Sequence, residues 1–416
     1  MRRKQAIDVP LIATAILLSL YGIAIVYSAG QTDFPTHVAT AYRAQIVWFF
    51  VALTGAYIIN RASLRLLEWL TIPLYGLSIF LLLLILVGFG SGGGTAASVK
   101  GWLTIGGVRL GQPAELAKLT VILMLGKVLS ASKEPPKSLI DLWKPAIVVG
   151  VPWLLIMAQP DLGTGIVFVG IFFAMLFWSG ISWRLLVLIA SPVISLVLAF
   201  NTSLWGAWFL LLIALVLWYK PYLAEGVVLV AANVIMGVVA PLLWDRLAPY
   251  QQNRLLVFLD PSIDPRRSGY HVIQSQVAIG SGGLFGKGFT LGTQKRLAFL
   301  PAQHTDFIFS VVGEELGFVG VTLAFALFLS LFLRVVRISE RATDAFSSLV
   351  AFGLLASWFV HVLVNVGMTL NLMPITGIPL PFFSYGGSFM LASWLAIGIL
   401  ARIAAEGRGR AGMLAI

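Results

Sequence analysis

The sequence predicts an all-α polytopic membrane protein: a bundle of about 10–12 transmembrane helices with one large extracytoplasmic loop. Three observations carry that expectation. Of 416 residues, 59% are hydrophobic and only 11% charged, whereas a soluble domain is about half apolar and a quarter charged. Apolar runs recur at the length of about 17–25 residues that a bilayer-crossing helix needs. Lys and Arg gather in the short stretches between those runs. A soluble chain this poor in charge would expose large apolar patches and aggregate, so 1–416 reads as a single integral membrane domain. Nucleic-acid binding is not expected despite the net charge of +11, because the basic residues are dispersed among short loops. Cysteine is absent, which excludes disulfides, thiolate chemistry and Cys-ligated metal.

Twelve runs read as helices. The first, 8–28, follows Met1-Arg2-Arg3-Lys4, which resembles a signal-peptide n-region. Its apolar stretch is too long and no clear cleavage site follows, so it is expected to stay as an uncleaved first helix. Runs 44–60 and 69–88 come next. Helix 113–131 opens with Gln112-Pro113-Ala114-Glu115-Leu116-Ala117-Lys118; proline suits the first helical position and an acid suits the first turn. Runs 143–158 and 163–180 flank Gln159-Pro160-Asp161-Leu162-Gly163 and are short enough to be halves of a re-entrant turn. Runs 184–200, 205–219 and 223–243 lead to a long polar segment, 244–304. Runs 305–334, 345–369 and 385–402 complete the chain.

Orientation follows from the loops, since cytoplasmic loops are enriched in Lys and Arg. With the N-terminus inside, seventeen of the 28 basic residues fall on the inner side, among them Arg61, Lys127, Lys144, Arg184 and Arg402. Both termini are then cytoplasmic, and loops 88–112, 159–162, 244–304 and 370–384 face outward. Seven basic residues lie within 244–304, and a loop that long crosses regardless of its charge.

Polar chemistry concentrates on that outer side. A 60-residue loop is uncommon unless functional or disordered, and 244–304 is too apolar to be a disordered linker; its stretch 270–280 reads as a short amphipathic helix at the membrane. The cluster Gly280-Ser281-Gly282-Gly283-Leu284-Phe285-Gly286-Lys287-Gly288 lacks the spacing and the Ser or Thr of a P-loop, leaving a glycine-rich turn. Glu115 and Lys118 are three apart and share a helix face. An ordinary surface pair would be the bland alternative, but an ionisable side chain one turn into an apolar helix is a functional hypothesis by default. Asp161 suits a helix N-cap, and its outer-side position keeps a functional role open. Helix 305–334 carries Glu314-Glu315, of which at least one is expected to face the bundle interior. Three prolines in 374–381 would stiffen a cavity wall, since irregular backbone at membrane depth must be buried or line a wet cavity. The four histidines show no metal spacing and no nucleophile triad is present, so any chemistry falls to carboxylates and cations.

Taken together these segments resemble the SEDS family (shape, elongation, division and sporulation), the polytopic glycosyltransferases of bacterial cell walls. The matching pieces run in family order. They are Trp102 with Gln112–Lys118, then Gln159–Thr164, then Asp264-Pro265 with Gly269-Tyr270-His271. Leu300-Pro301, His304-Thr305-Asp306-Phe307-Ile308-Phe309 and Glu314-Glu315-Leu316-Gly317 follow. Last come Pro379-Leu380-Pro381-Phe382 and Ser384-Tyr385-Gly386-Gly387-Ser388. Gly269–Ser275 and Gly288–Gln294 resemble the elongation branch more than the division branch. Two departures stand out. Relatives often carry Arg immediately before the tryptophan, where this chain has Gly101 after Lys100. Members typically have ten helices, so 201–243 is expected to be a two-helix insertion; an even number keeps the catalytic loop outside.

The resemblance implies polymerisation of peptidoglycan glycan strands from lipid II during cell elongation, on the outer face of the bacterial cytoplasmic membrane. Inverting transfer would form β-1,4 links and release undecaprenyl pyrophosphate. The family's catalytic aspartate aligns with Asp264, with Asp260 as its rival. Trp102, Glu115, Lys118, Asp161, Arg254, His304, Asp306, Glu315 and Ser384 are the implied substrate-binding set, with Glu115 orienting Lys118 towards the departing pyrophosphate. No cofactor is certain and no metal site is legible, although a divalent cation, Mg or Mn, would help. The implied partner is a class B penicillin-binding protein with transpeptidase activity. The competing readings are a transporter (flippase) of lipid-linked precursor and a noncatalytic scaffold of the wall synthase.

Overall fold

The structure, a computed structural model, describes residues 8–33, 38–92, 100–132, 134–219, 221–246, 249–260, 268–300 and 302–414. In chain order it contains α1 (Val9–Ala29), α2 (Ala41–Arg61) and α3 (Leu64–Leu84), then the short strands β1 (Gly90–Ser91), β2 (Trp102–Ile105) and β3 (Val108–Gly111). There follow α4 (Pro113–Ser130), α5 (Trp143–Met157), α6 (Leu162–Trp178), α7 (Trp183–Leu198), α8 (Thr202–Tyr219) and α9 (Leu223–Arg246). The long segment holds α10 (Pro249–Leu259), α11 (Ser268–Ser281) and α12 (Thr293–Arg296), and the chain closes with α13 (Ile308–Glu340), α14 (Ala345–Thr369) and α15 (Gly387–Leu414).

Every expected helical run coincides with a helix. Among the described residues nine helices are long and apolar enough to cross a membrane, and α6 and α7 are shorter apolar helices. α4 matches them in length but carries Glu115, Lys118 and Lys127. The starts of α1, α3, α6, α7 and α14 are capped by Asp8, Ser63, Asp161, Ser182 and Asp344, each accepting a backbone N–H three residues on. A cap of this kind is worth about 1 kcal/mol.

α14 is the central helix. Its apolar window is 72% buried and that of α15 is 67%, against 6% for α8 and 17% for the matching stretch of α9. α14 packs on α4, α6 and α13, while α15 packs along α2, and α1 along α13. Helices α7, α8 and α9 form a peripheral lobe with its own small core of Leu188, Leu212 and Leu229. Inside that lobe Asn233 bonds Ser191 and Ser195, and Trp208 donates to Ser195, so a buried polar clasp holds three apolar helices together. Polar side chains that bond across helices are the usual fastening where lipid removes the hydrophobic drive. The helices expected in 201–243 are α8 and α9.

Three features differ from the sequence reading. The loop 88–112 folds into a small antiparallel sheet in the order β1-β2-β3, because Gly106-Gly107, both at positive φ, make the tight turn that lets β2 pair with β3. The helix expected at 305–334 starts at Ile308 and is interrupted at Gly317, whose φ of 60° and ψ of −157° are non-helical. Asp306 therefore stands in the turn before α13 and shares no helix face with Glu314. Finally, the first of the two short runs extends back to Ile140 and is long enough to cross a membrane by itself, and α6 packs beside it. Segment 244–307 and the ends of the helices adjoining it define what we call the loop face.

Candidate active site

α4 enters the bundle at the loop face. Pro113 occupies its first turn, where no backbone N–H is required, and Glu115 follows within that turn. The Glu115 carboxylate and the Lys118 ammonium pair at 2.7 Å, with only 5% and 4% of their side chains exposed. Lys118 Nζ also lies 2.8 Å from His361 Nε2 on α14 and 5.1 Å above the Phe389 ring of α15. His361 Nδ1 in turn stands 2.9 Å from the Pro379 carbonyl oxygen. An ammonium has no lone pair, so Nε2 accepts from it; a carbonyl has no proton, so Nδ1 donates to it. The geometry thus assigns His361 the neutral Nδ1–H tautomer.

This relay sits behind a cleft of about 250 Å³ whose walls include Trp48, Leu81, Leu103, Leu110, Gln112 and Glu115. Glu115 fronts the cleft and Lys118 lies behind it. The resemblance has Glu115 orienting Lys118; the two do pair, and Lys118 takes its further polar partner on its inward side, as an ammonium inside an apolar bundle requires. Ser388 at the start of α15 also lines the cleft and its hydroxyl accepts the Gln112 backbone N–H at 3.2 Å. The Gln112 amide donates to Asp161 at 3.4 Å. Asp161 is otherwise engaged as the α6 cap, taking the Thr164 N–H at 3.0 Å and the Thr164 hydroxyl at 2.8 Å. Its capping role is realised beside the cleft, one residue removed from Glu115 through Gln112.

Trp102 is half-buried on β2, next to the cleft-lining Leu103, and the Arg109 guanidinium of β3 lies 6.0 Å over its ring. Gly101 stands immediately before the tryptophan, where the resemblance often has Arg, and a cation reaches the ring from the paired strand. The sequence signal was available: a two-glycine turn sets Arg109 opposite Thr104, close to Trp102.

Other expected site residues lie elsewhere. Arg254 is half-buried on α10, and Asp260 is exposed just past its end. Asp264, the aspartate to which the resemblance assigns catalysis, lies outside the described residues, as do Arg266 and Pro301. His304 and Asp306 occupy the turn before α13, which is stitched to the proline-rich segment 374–386. There the Tyr385 N–H reaches the His304 carbonyl, the Ser384 hydroxyl donates to the Thr305 carbonyl at 2.7 Å and accepts the Leu380 N–H at 2.8 Å. Asn365 donates to the carbonyls of Asp306 and Ile378. Ser384 is 2% exposed, and its hydroxyl is fully used in joining the two loops; Gln45 of α2 seals the same joint from the other side. Segment 374–386 is thus largely buried, its irregular backbone enclosed by protein.

Glu315 is remote from the cleft. It is fully buried and bonded to Lys295 at 2.8 Å and to the Ser28 hydroxyl of α1 at 2.5 Å. Burial holds the Lys295 ammonium below the usual lysine range, opposed by its bond to Glu315. Glu314, also buried, accepts Lys287, Thr293 and the Gln294 N–H. The glycine cluster explains the closeness of these groups. A Cβ on Gly282 would stand 1.9 Å from the Gly313 carbonyl oxygen, and one on Gly286 2.1 Å from that of Glu315. The cluster is a clasp on the broken helix α13, the bland reading of its composition.

Of the predicted set, the structure brings Glu115, Lys118 and Asp161 to one region, sets Trp102 on the strand whose Leu103 lines the same cleft, and joins His304, Asp306 and Ser384 in a buried joint. Sequence reasoning missed His361, Gln112 and Arg109 as their neighbours. His361 was discoverable: Trp358, His361 and Asn365 recur at helical spacing along an otherwise apolar helix, and an intramembrane ionisable group calls for a partner.

A family profile described as "Cell cycle protein", covering FtsW, RodA and SpoVE, matches residues 9–206 and 205–409. The chain is 35% identical over 432 aligned residues to the peptidoglycan glycosyltransferase RodA of Treponema pallidum (strain Nichols), covering 96% of this chain and 98% of that protein. It is 39% identical over 324 residues to the peptidoglycan glycosyltransferase MrdB of Escherichia coli (strain K12), covering 77% and 75%. Among solved structures, a chain from a peptidoglycan synthase complex that coordinates polymerisation and crosslinking matches with a TM-score of 0.72 at 28% identity, covering 97% of this chain and 98% of that one.

Proposed function

The chain belongs to the FtsW, RodA and SpoVE family of cell cycle proteins, and on that premise we propose how it works as a peptidoglycan glycosyltransferase of the RodA type. It polymerises glycan strands during cell elongation. The observation that carries the assignment of chemistry to place is the cleft lined by Gln112, Glu115 and Ser388 together with apolar side chains, among them Leu103 and Leu110 of the hairpin that carries Trp102 and Arg109. A polar mouth over an apolar groove fits a lipid-linked sugar, headgroup up and polyprenyl chain along the helices. Trp102 offers a flat face for a sugar ring, and Glu115 accepts sugar hydroxyls. The apolar lining between α2, α3 and α15 takes the tail and positions the substrate.

In the transfer, a GlcNAc 4-hydroxyl of one lipid II attacks the anomeric carbon of the donor chain. The C–O bond forms as the bond to pyrophosphate breaks, with inversion from α to β. Asp264 takes the hydroxyl proton as general base. Arg254 and the neighbouring loop cations stabilise the charge that develops on the leaving polyprenyl pyrophosphate. Lys287, tied to Glu314 and Thr293, serves the fold of the loop rather than this charge. Among the described residues no group of three or more His, Asp or Glu side chains could hold a metal ion. A divalent cation, Mg or Mn, would help to neutralise the pyrophosphate charge.

We further propose that the loop face is extracytoplasmic, in the bacterial cytoplasmic membrane, with both termini inside. By the same reading the chain works with a class B penicillin-binding protein, α8 and α9 are an insertion relative to the family, and 244–304 is the catalytic loop. The polar groups of the bundle crowd the loop face, which favours surface chemistry over transport. The test is purified full-length chain with lipid II, alone and with the transpeptidase. Asp264→Ala and Asp264→Asn should each abolish glycan polymer while leaving expression and membrane insertion unchanged. Polymer made at the wild-type rate by either variant would remove Asp264 from the mechanism.

A further inference from the structure

The relay behind the cleft contains one ionisable group that the reaction does not use. His361 is 1% exposed and lies on α14, the most enclosed helix of the bundle. Its two ring nitrogens have different partners: Nε2 accepts from Lys118 at 2.8 Å and Nδ1 donates to the Pro379 carbonyl at 2.9 Å. Lys118 spends a second proton on Glu115 at 2.7 Å. The result is a line of directional bonds from a fixed loop carbonyl, through an imidazole and an ammonium, to the carboxylate on the cleft wall.

From this geometry we infer that His361 is a positioning residue for substrate binding: with Lys118 it aims the Glu115 carboxylate into the cleft and references it to the wall formed by segment 374–386. Glu115 alone has several rotamers in the first turn of α4. The Lys118 ammonium removes that freedom only if it is itself held, and the Phe389 face above it gives attraction without direction. The imidazole supplies the direction. Pro379 has no N–H, but its carbonyl sits in a segment pinned by Ser384 and Asn365, so the anchor at the far end of the line is rigid. A substrate hydroxyl therefore meets a preorganised acceptor.

The inference rests on the reading that Glu115 binds substrate, and the experiment separates the two. Steady-state KM and kcat for lipid II polymerisation would be measured with full-length chain carrying His361→Asn, His361→Gln, Lys118→Met or Glu115→Gln. Asn puts an NH2 where Nδ1 stands and leaves Nε2 empty, so it keeps the loop anchor and drops Lys118. Gln puts an amide oxygen near Nε2 and restores the acceptor for Lys118. We expect His361→Asn and Lys118→Met to raise KM about tenfold, the usual scale for a lost bond to a charged group, with kcat per folded enzyme nearly unchanged. His361→Gln should recover most of that loss, and His361→Asn should add nothing in the Glu115→Gln background. A purely structural role would instead lower the active fraction, and hence kcat, with KM unmoved; that result in His361→Asn overturns the inference. So does a wild-type His361→Asn beside an impaired His361→Gln, which would leave only the loop anchor. A wild-type KM in Glu115→Gln overturns the reading of Glu115 and the inference with it. Should His361→Asn fail to fold, KM measured on the folded fraction of Lys118→Met, which leaves the Pro379 anchor intact, decides the same question.

Discussion

At the scale of single residues, the molecule separates buried charges that face a cavity from those that only close the fold. Glu115 and Glu315 look alike in the sequence: each is an acid in an apolar helix, near a family motif. The difference lies in what surrounds them, which no spacing rule encodes. Glu115 has a cleft on one side and Lys118 on the other, whereas Glu315 is enclosed by Lys295 and Ser28 and has no exposed surface. Removing one member of a buried pair leaves an uncompensated charge, at a cost of about 3–5 kcal/mol. Lys295→Met should therefore lower the thermal unfolding temperature sharply in detergent, and adding Glu315→Gln should restore most of the loss. The companion change Glu115→Gln also strips a buried partner, Lys118, of its counter-charge and should lower the melting temperature too, but of the two it alone should raise KM in the folded fraction. Ser384 belongs with Glu315, because its hydroxyl is committed on both sides to backbone partners. Ser384→Ala should thus act through stability, by about 1–3 kcal/mol for the orphaned Leu380 N–H, with lipid II affinity retained in the folded fraction.

At the scale of elements, nearly all helices were legible because a membrane imposes length and apolarity on each one. The ends of α14 were read to the residue, since Asp344 caps one end and Asn371-Leu372 break the other. What was not legible was interruption. Gly317 follows Glu314-Glu315 in a run that otherwise reads as one apolar helix, and hydropathy carries no record of φ. The break is fixed by tertiary contact: the Phe318 and Val319 N–H groups donate to the Gly283 and Leu284 carbonyls, so the loop supplies what the helix lacks. A Cβ at Gly317 would meet the Gly286 nitrogen at 2.3 Å, on a backbone conformation essentially reserved for glycine. Gly317→Ala is expected to cost at least about 1–3 kcal/mol and to expose the 282–292 clasp to proteolysis, which limited digestion and a melting curve would register. The β2–β3 hairpin was missed for a different reason: its strands are four residues each, too short for alternation to show against an apolar background.

At the scale of the whole molecule, the layout is a rigid centre of α14 and α15, a loop face carrying the polar groups, and a peripheral lobe of α7, α8 and α9. Its orientation is testable with unusual economy because the chain contains no cysteine. A single Gln276→Cys on exposed α11 should react in intact spheroplasts with a membrane-impermeant maleimide, and Ser132→Cys, on the turn after α4, only after permeabilisation; the reverse pattern would invert the proposed topology. The clasp on α13 has a dynamic consequence as well. The amides of Lys287 and Gly288 bond the carbonyls of Glu314 and Glu315, and those of Phe318 and Val319 bond back across the same junction. None of the four can be released without separating loop from helix. They should therefore exchange with deuterium as one cooperative unit, sharing a single opening free energy. That unit is distinct from the deep amides of α14, which exchange only when the bundle itself comes apart.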